Sequence, residues 1–166
     1  YDENITINKE LTINGPNAGL ACGSRVAEAI LAPTAGTPVT ITSDNVTLNG
    51  FEITAPDAYN AVVLGSTSGT TVSFNNVHDI GTTPTGGQNV HAITYSVGSS
   101  SSTNVAITDN CLDNIGNDAL HQKSVSAIGI LQSTSTGDLT GLSILRNAIS
   151  NVNAKKVDWS LGGRIA

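Results

Sequence analysis

Apolar residues recur two apart in short bursts along the chain, and each burst is followed by a polar turn and a second apolar pair. Four segments share this layout: Val46–Ile53, Val72–Ile80, Val105–Ile115 and Leu142–Val152. Their starts lie 26, 33 and 37 residues apart, and a partial earlier copy reads Leu11-Thr12-Ile13-Asn14-Gly15. A second set of short apolar stretches precedes the last three copies: Ala61–Leu64, His91–Tyr95 and Ala127–Leu131. Each of these runs into a loop of Gly, Ser and Thr. A period of 2 within each burst predicts strands rather than helices. Bursts of about 3–5 residues bounded by turn formers fit the same reading.

The longer repeat, near 30 residues, decides between two all-β architectures. A hairpin sandwich repeats a strand every 8–12 residues or so without a longer period. Recurrence of a whole strand–loop–strand–turn–strand unit predicts a solenoid, in which each turn of the coil lies on the one before. Parallel strands about 4.8 Å apart then stack like residues into inward columns. One expected column holds Leu48, Phe74, Ile107 and Ile144, and a second holds Phe51, Val77, Leu112 and Ile149. Asn at the turn has a mechanism of its own, because it tolerates the left-handed backbone region. Stacked Asn side chains can also bond to one another along the axis. Asn110 and Asn147 fall at equivalent places; Asn76 is expected beside them in a turn one residue shorter, with Gly50 in that slot one copy earlier.

The segments Asn4-Ile5-Thr6-Ile7-Asn8-Lys9-Glu10-Leu11-Thr12-Ile13-Asn14-Gly15-Pro16-Asn17-Ala18-Gly19 and Val39-Thr40-Ile41-Thr42-Ser43-Asp44-Asn45-Val46-Thr47-Leu48-Asn49-Gly50-Phe51 carry a resemblance. They resemble successive coils of bacterial right-handed parallel β-helix repeat proteins of the pectin-lyase-like superfamily. The resemblance runs over roughly residues 3 to 152. It implies an all-β fold, a right-handed parallel β-helix. It does not select a function, because that superfamily holds polysaccharide lyases and hydrolases, phage tailspikes, adhesins and surface-layer proteins. At about 30 residues per coil, the chain predicts about five coils and roughly 25 Å of axis. Residues 1–166 read as a single β-helix segment. Neither end shows an amphipathic capping helix, so the expectation is part of a larger protein, or ends that stack on other copies.

Composition narrows the function classes. Thr, Ser, Asn and Gly supply 71 of the 166 residues, and only 12% are charged. The formal net charge is -6, which leaves no basic patch to neutralise phosphates and disfavours nucleic acid. No apolar run approaches the roughly 18 residues of a transmembrane helix. The sparse charge and polar hydroxyls suit a secreted or cell-surface protein. Cys22 and Cys111 are 89 positions apart and match no zinc spacing. Their first reading is a loop thiol and a buried thiol, with a disulfide as the alternative.

Candidate chemistry follows the Asn turn on the outer face: Glu52, His78, Asp79, Asp113, Asn114, Ser150 and Asn151. The resemblance implies two uses for such a cluster. Lyases of the fold hold calcium on clustered acids with an Arg or Lys as base, and hydrolases use paired Asp. Paired carboxylates suit glycoside cleavage because one can protonate the leaving oxygen. Calcium is the possible cofactor, although it wants six to eight oxygens. The plain alternative is a solvated polar face. His91 and His121 form no spaced pair with His78. Lys123, Lys155 and Lys156 are scattered, and Arg146 reads as a turn residue. Trp159, the single Trp, could be a sugar platform or an end-packing anchor. Thr40 and Thr42 raise an ice-binding face, which would need many such pairs in register. The leading expectation is a non-catalytic structural, adhesive or self-assembling element, leaning away from an enzyme. A carbohydrate-active or glycan-binding module is the alternative.

Overall fold

The computed structural model describes residues 1–83, 87–117, 123–132 and 136–154. The strands are β1 (Ile5–Ile7), β2 (Thr12–Asn14), β3 (Ile30–Leu31), β4 (Val39–Ile41), β5 (Thr47–Asn49), β6 (Glu52–Ala55), β7 (Asn60–Leu64), β8 (Thr71–Ser73) and β9 (Asn76–Ile80). They continue with β10 (Asn89–Val97), β11 (Ser102–Thr103), β12 (Ala106–Thr108), β13 (Cys111–Ile115), β14 (Ser124–Gln132), β15 (Leu139–Thr140), β16 (Ser143–Leu145) and β17 (Ala148–Ile149). The one helical element among the described residues is a short 3-10 turn, Cys22–Ser24.

Three five-stranded sheets run side by side along one axis, in the orders β1-β4-β7-β10-β14, β2-β5-β8-β12-β16 and β3-β6-β9-β13-β17. A small pair, β11-β15, decorates a loop. Every pairing is parallel. The chain is therefore a parallel β-solenoid. Five strand layers enclose about four turns, slightly fewer than the expected five.

Alternation within each strand becomes columns between strands. Ile13, Leu48, Val72, Ile107 and Ile144 stack in register, as do Leu31, Ile53, Val77, Leu112 and Ile149. A third column is Ile7, Ile41, Leu64, Tyr95 and Ile130. Leu48, Val72, Ile107, Ile53, Val77 and Leu112 are all buried to within 2%. Each interior side chain meets a like neighbour above and below, so the core is continuous though each layer is thin.

Two column members differ from expectation. Val72, not Phe74, stacks between Leu48 and Ile107, and Ile53, not Phe51, stacks on Val77. Phe74 is instead in the left-handed turn position (φ 53°), in line with Gly50 (φ 80°), Asp109 (58°) and Arg146 (53°). The next residue in each turn points inward: Phe51, Asn75, Asn110 and Asn147. The Asn ladder therefore uses Asn75, and Asn76 begins β9 opposite Cys111 and Glu52. The turn is not shortened at Asn76, and Phe51 rather than Gly50 fills the slot below Asn75.

Within this ladder each Asn serves two layers. Asn75 Nδ2 donates to the Leu48 carbonyl (3.1 Å) and to Asn110 Oδ1 (3.2 Å), while its Oδ1 accepts the Phe51 amide (3.0 Å). Asn110 repeats the arrangement, donating to the Val72 carbonyl (2.9 Å) and to Asn147 Oδ1 (3.0 Å). Asn147 donates to the Ile107 carbonyl (2.8 Å). The turn amides of Phe51, Asn75 and Asn110, which lie between strands, are thus satisfied inside the core, where an orphan would be costly, and the mid-strand carbonyls of Leu48, Val72 and Ile107 gain a side-chain donor.

Candidate functional site

Links between the second and third sheets take two residues in layers two to five, but residues 15–29 fill the same link in the first layer. This insertion is a strap laid up the outer face of the third sheet. Gly50 permits its crossing: a Cβ there would collide with Asn17 and Ala18, and φ is +80°. Asn17, fully buried, holds the strap's shape by accepting the Val26 amide (2.7 Å) and donating to Glu28 Oε2 (2.6 Å). Arg25 pins it to two layers at once, donating to the carbonyls of Phe74 (2.6 Å) and Phe51 (3.2 Å). Its remaining donors face Glu28, at 2.6 and 2.9 Å. The Arg25 guanidinium holds the Glu28 carboxyl below its ordinary value of 4.5, against the opposing effect of burial.

At the strap's far point Cys22 is bonded to Cys111, with the two Cα atoms 5.7 Å apart. The pairing replaces the first reading of two separate thiols. Cys111 lies on the outward row Ile30–Glu52–Asn76–Cys111–Ala148, and the strap follows that row upward from the first layer to the fourth.

Beside the strap the expected polar cluster does assemble. His78 Nδ1 lies 2.7 Å from Asp79 Oδ2, and Nε2 lies 3.1 Å from Glu52 Oε1. A neutral imidazole has one N–H, so both contacts are hydrogen bonds only when the ring is protonated. Burial alone would lower the His78 pKa, but the bonds to Asp79 and Glu52 outweigh it and raise it above 6.5. Asp79 is pushed up by burial and pulled further down by Asn114 and His78, ending below 3.8. Asp79 also occupies a left-handed position (φ 55°), in line with Asn114 (52°) and Asn151 (50°). Asp113, in register with His78, accepts from Ser150 Oγ (2.6 Å) and Asn151 Nδ2 (2.8 Å), and these bonds lower its pKa.

The carboxylates are therefore already engaged by neighbours. Among the described residues no group of three or more His, Cys, Asp or Glu side chains is disposed to hold a metal ion. A polar cleft of about 330 Å³ adjoins the cluster, lined by Thr82, Asn114, Gly116, Asn117 and Asn153.

The other candidates fall elsewhere. His91 is buried, its Nδ1 lies 2.6 Å from Ser126 Oγ, and burial pushes its pKa down. Arg146 forms a two-pronged pair with Asp109 (2.7 and 2.8 Å), as a turn residue would. Thr40 stacks on Thr6 and then on Val63, so its row on the first sheet does not continue as Thr. His121, Lys155, Lys156 and Trp159 lie outside the described residues. No helix among the described residues is long and apolar enough to cross a membrane.

Sequence reasoning missed Asn17, Arg25 and Glu28. The available signal was the extra length between Ile13 and Leu31, since every later layer closes the same link in two residues. Comparison of the chain with protein-family models, with curated proteins and with solved structures gives no match in any of the three.

Proposed function

We propose that the chain is an extracellular, non-catalytic β-solenoid, a structural or adhesive element that assembles by stacking layer on layer with other copies. One observation carries the reading. On the fifth layer the three aliphatic columns end in exposed side chains: Ile130 is 39% exposed, Ile144 41% and Ile149 53%. Exposed apolar groups on strands that pair with no further layer among the described residues are a template for one. The disulfide and the sparse charge support an oxidising, extracellular setting. Sedimentation velocity over a hundredfold range of concentration tests the idea. Association that rises with concentration and is abolished by Ile149→Lys is expected. A strict monomer throughout would refute it.

A second reading is favoured by the His78–Glu52–Asp79 cluster and the amide-lined cleft: a glycan-binding or carbohydrate-active module, as the resemblance to the pectin-lyase-like superfamily implies. Incubation with polygalacturonate and other acidic glycans, with and without calcium, separates the two. Cleavage or saturable binding that is lost in His78→Ala would favour the second.

A further inference from the structure

We propose that the Cys22–Cys111 disulfide is a redox latch, opened by thiol reductants while the solenoid stays folded, that couples the first layers of the coil to the fourth.

The argument begins with how a solenoid holds together. Each layer pairs only with the layers directly above and below it, so end layers can open without the rest. The strap is an exception to nearest-neighbour pairing. It leaves the first layer after β2, and its polar anchors reach no farther than the third: Asn17 within the strap, and Arg25 on Phe51 of the second layer and Phe74 of the third. The step to the fourth layer is made by the disulfide, which joins residues 89 positions apart. With the bond closed, opening the first layer drags on β13. With it open, layers one to three lose that tie and keep their own ladders and the Arg25 anchors.

Access is the second half of the argument. Cys22 is exposed, in a 3-10 turn whose neighbour Gly23 has open space on its Cβ side. An exposed disulfide is the kind that thiolates reach. Cys111 is half-buried on its strand. A dithiol reductant would act by ordinary exchange. Its thiolate attacks the Cys22 sulfur, the S–S bond breaks and Cys111 leaves as a thiolate. The second thiolate of the reductant then closes its own disulfide and releases Cys22. Two electrons pass to the protein, the two cysteine thiolates take up protons, and the reductant ends oxidised. In the reverse sense the latch closes only after the fourth layer has docked, by exchange with a small-molecule disulfide such as oxidised glutathione, which takes the two electrons and two protons and leaves as two thiols.

The test uses the whole chain, in native buffer at pH 8, with dithiothreitol titrated in. Alkylation followed by mass spectrometry reads the bond, and amide hydrogen exchange reads the layers. We expect two alkylated thiols with far-ultraviolet circular dichroism unchanged. Exchange in residues 5–31 should rise by about tenfold or more, while residues 124–130 and 143–149 change by less than about twofold. Re-oxidation should restore the slow exchange. The Cys22→Ser/Cys111→Ser variant should match the reduced protein without any reductant, and Cys22→Ser alone should match it if the double variant folds poorly. A bond that resists excess dithiothreitol until the protein unfolds would overturn the proposal. So would reduction that leaves exchange in residues 5–31 unchanged, or that raises it evenly across all layers. None of these outcomes depends on whether copies stack.

Discussion

Asn110 is the position where the internal ladder can be weighed. It is fully buried, with layers both above and below. Replacing it with Ala removes the donor to the Val72 carbonyl at 2.9 Å and the acceptor of the Asn75 amide at 3.0 Å. Asn75 Nδ2 keeps the Leu48 carbonyl, and the Asn110 amide can still reach Asn147 Oδ1. The buried Asn75 amide is left orphaned, at about 1–3 kcal/mol, while the Val72 carbonyl stays in the β8–β12 ladder and loses only its second donor, at about 1 kcal/mol. With a small term for the vacated volume, the expected loss is about 2–4 kcal/mol. That is a large share of a typical total of about 5–15 kcal/mol. In a chain of this length, it lowers Tm by roughly 10 °C. Asn147→Ala is the matched control. It is half-buried on the outermost rung, where water can replace the amide, and should cost about 1 kcal/mol. Asn110→Asp preserves shape but loses the donor to Val72 and buries a charge, so it should cost at least as much as Ala. Urea unfolding and calorimetry on the three variants give the answer. A loss under about 1 kcal/mol for Asn110→Ala, or one no larger than that for Asn147→Ala, would refute the ladder as a stabilising element.

Other expectations follow from the same geometry. Leu112→Ala, at the centre of a column and fully buried, should cost about 2–5 kcal/mol, whereas Ile149→Ala, 53% exposed in the same column, should cost under about 1 kcal/mol by urea unfolding. His78 has a folded pKa above 6.5, so its contribution is complete below that unfolded value and is lost as the pH rises through the raised one. Asp79, held below 3.8, contributes above that pH and loses its contribution as the pH falls through its lowered value. Tm should therefore decline from pH 6 to pH 8, and Glu52→Gln should flatten the decline; an equal decline in that variant would contradict the His78 clamp. Arg25→Ala leaves the Phe74 carbonyl and half of the Glu28 carboxylate without their donor, and should cost about 1–3 kcal/mol in thermal unfolding.

Fold class was legible because the inward positions carry Ile, Val and Leu at a period of 2 and the whole unit recurs. The exact rungs were less so, for a physical reason. A slip of two residues keeps a side chain on the same face, so alternation cannot separate Val72 from Phe74, or Ile53 from Phe51. The left-handed turn that removes both Phe side chains from the columns leaves no mark in hydropathy. Asn75 and Asn76 are adjacent, and only the register of β9 on β13 tells which one turns inward. The outer cluster of Glu52, His78, Asp79 and Asp113 was found by position after the turn. The strap was not, because Arg25 acts on carbonyls of distant layers and Cys22 on a strand 89 residues away. Such contacts follow from stacking and have no local sequence pattern.

Backbone pairing around Val72 tests the central claim most directly. In an isotope-labelled sample, the solenoid predicts parallel cross-strand nuclear Overhauser contacts from Val72 to both Leu48 and Ile107, with the same offset on each side. Close α-proton to α-proton contacts between these strands are the mark of antiparallel neighbours, and finding them would contradict the account.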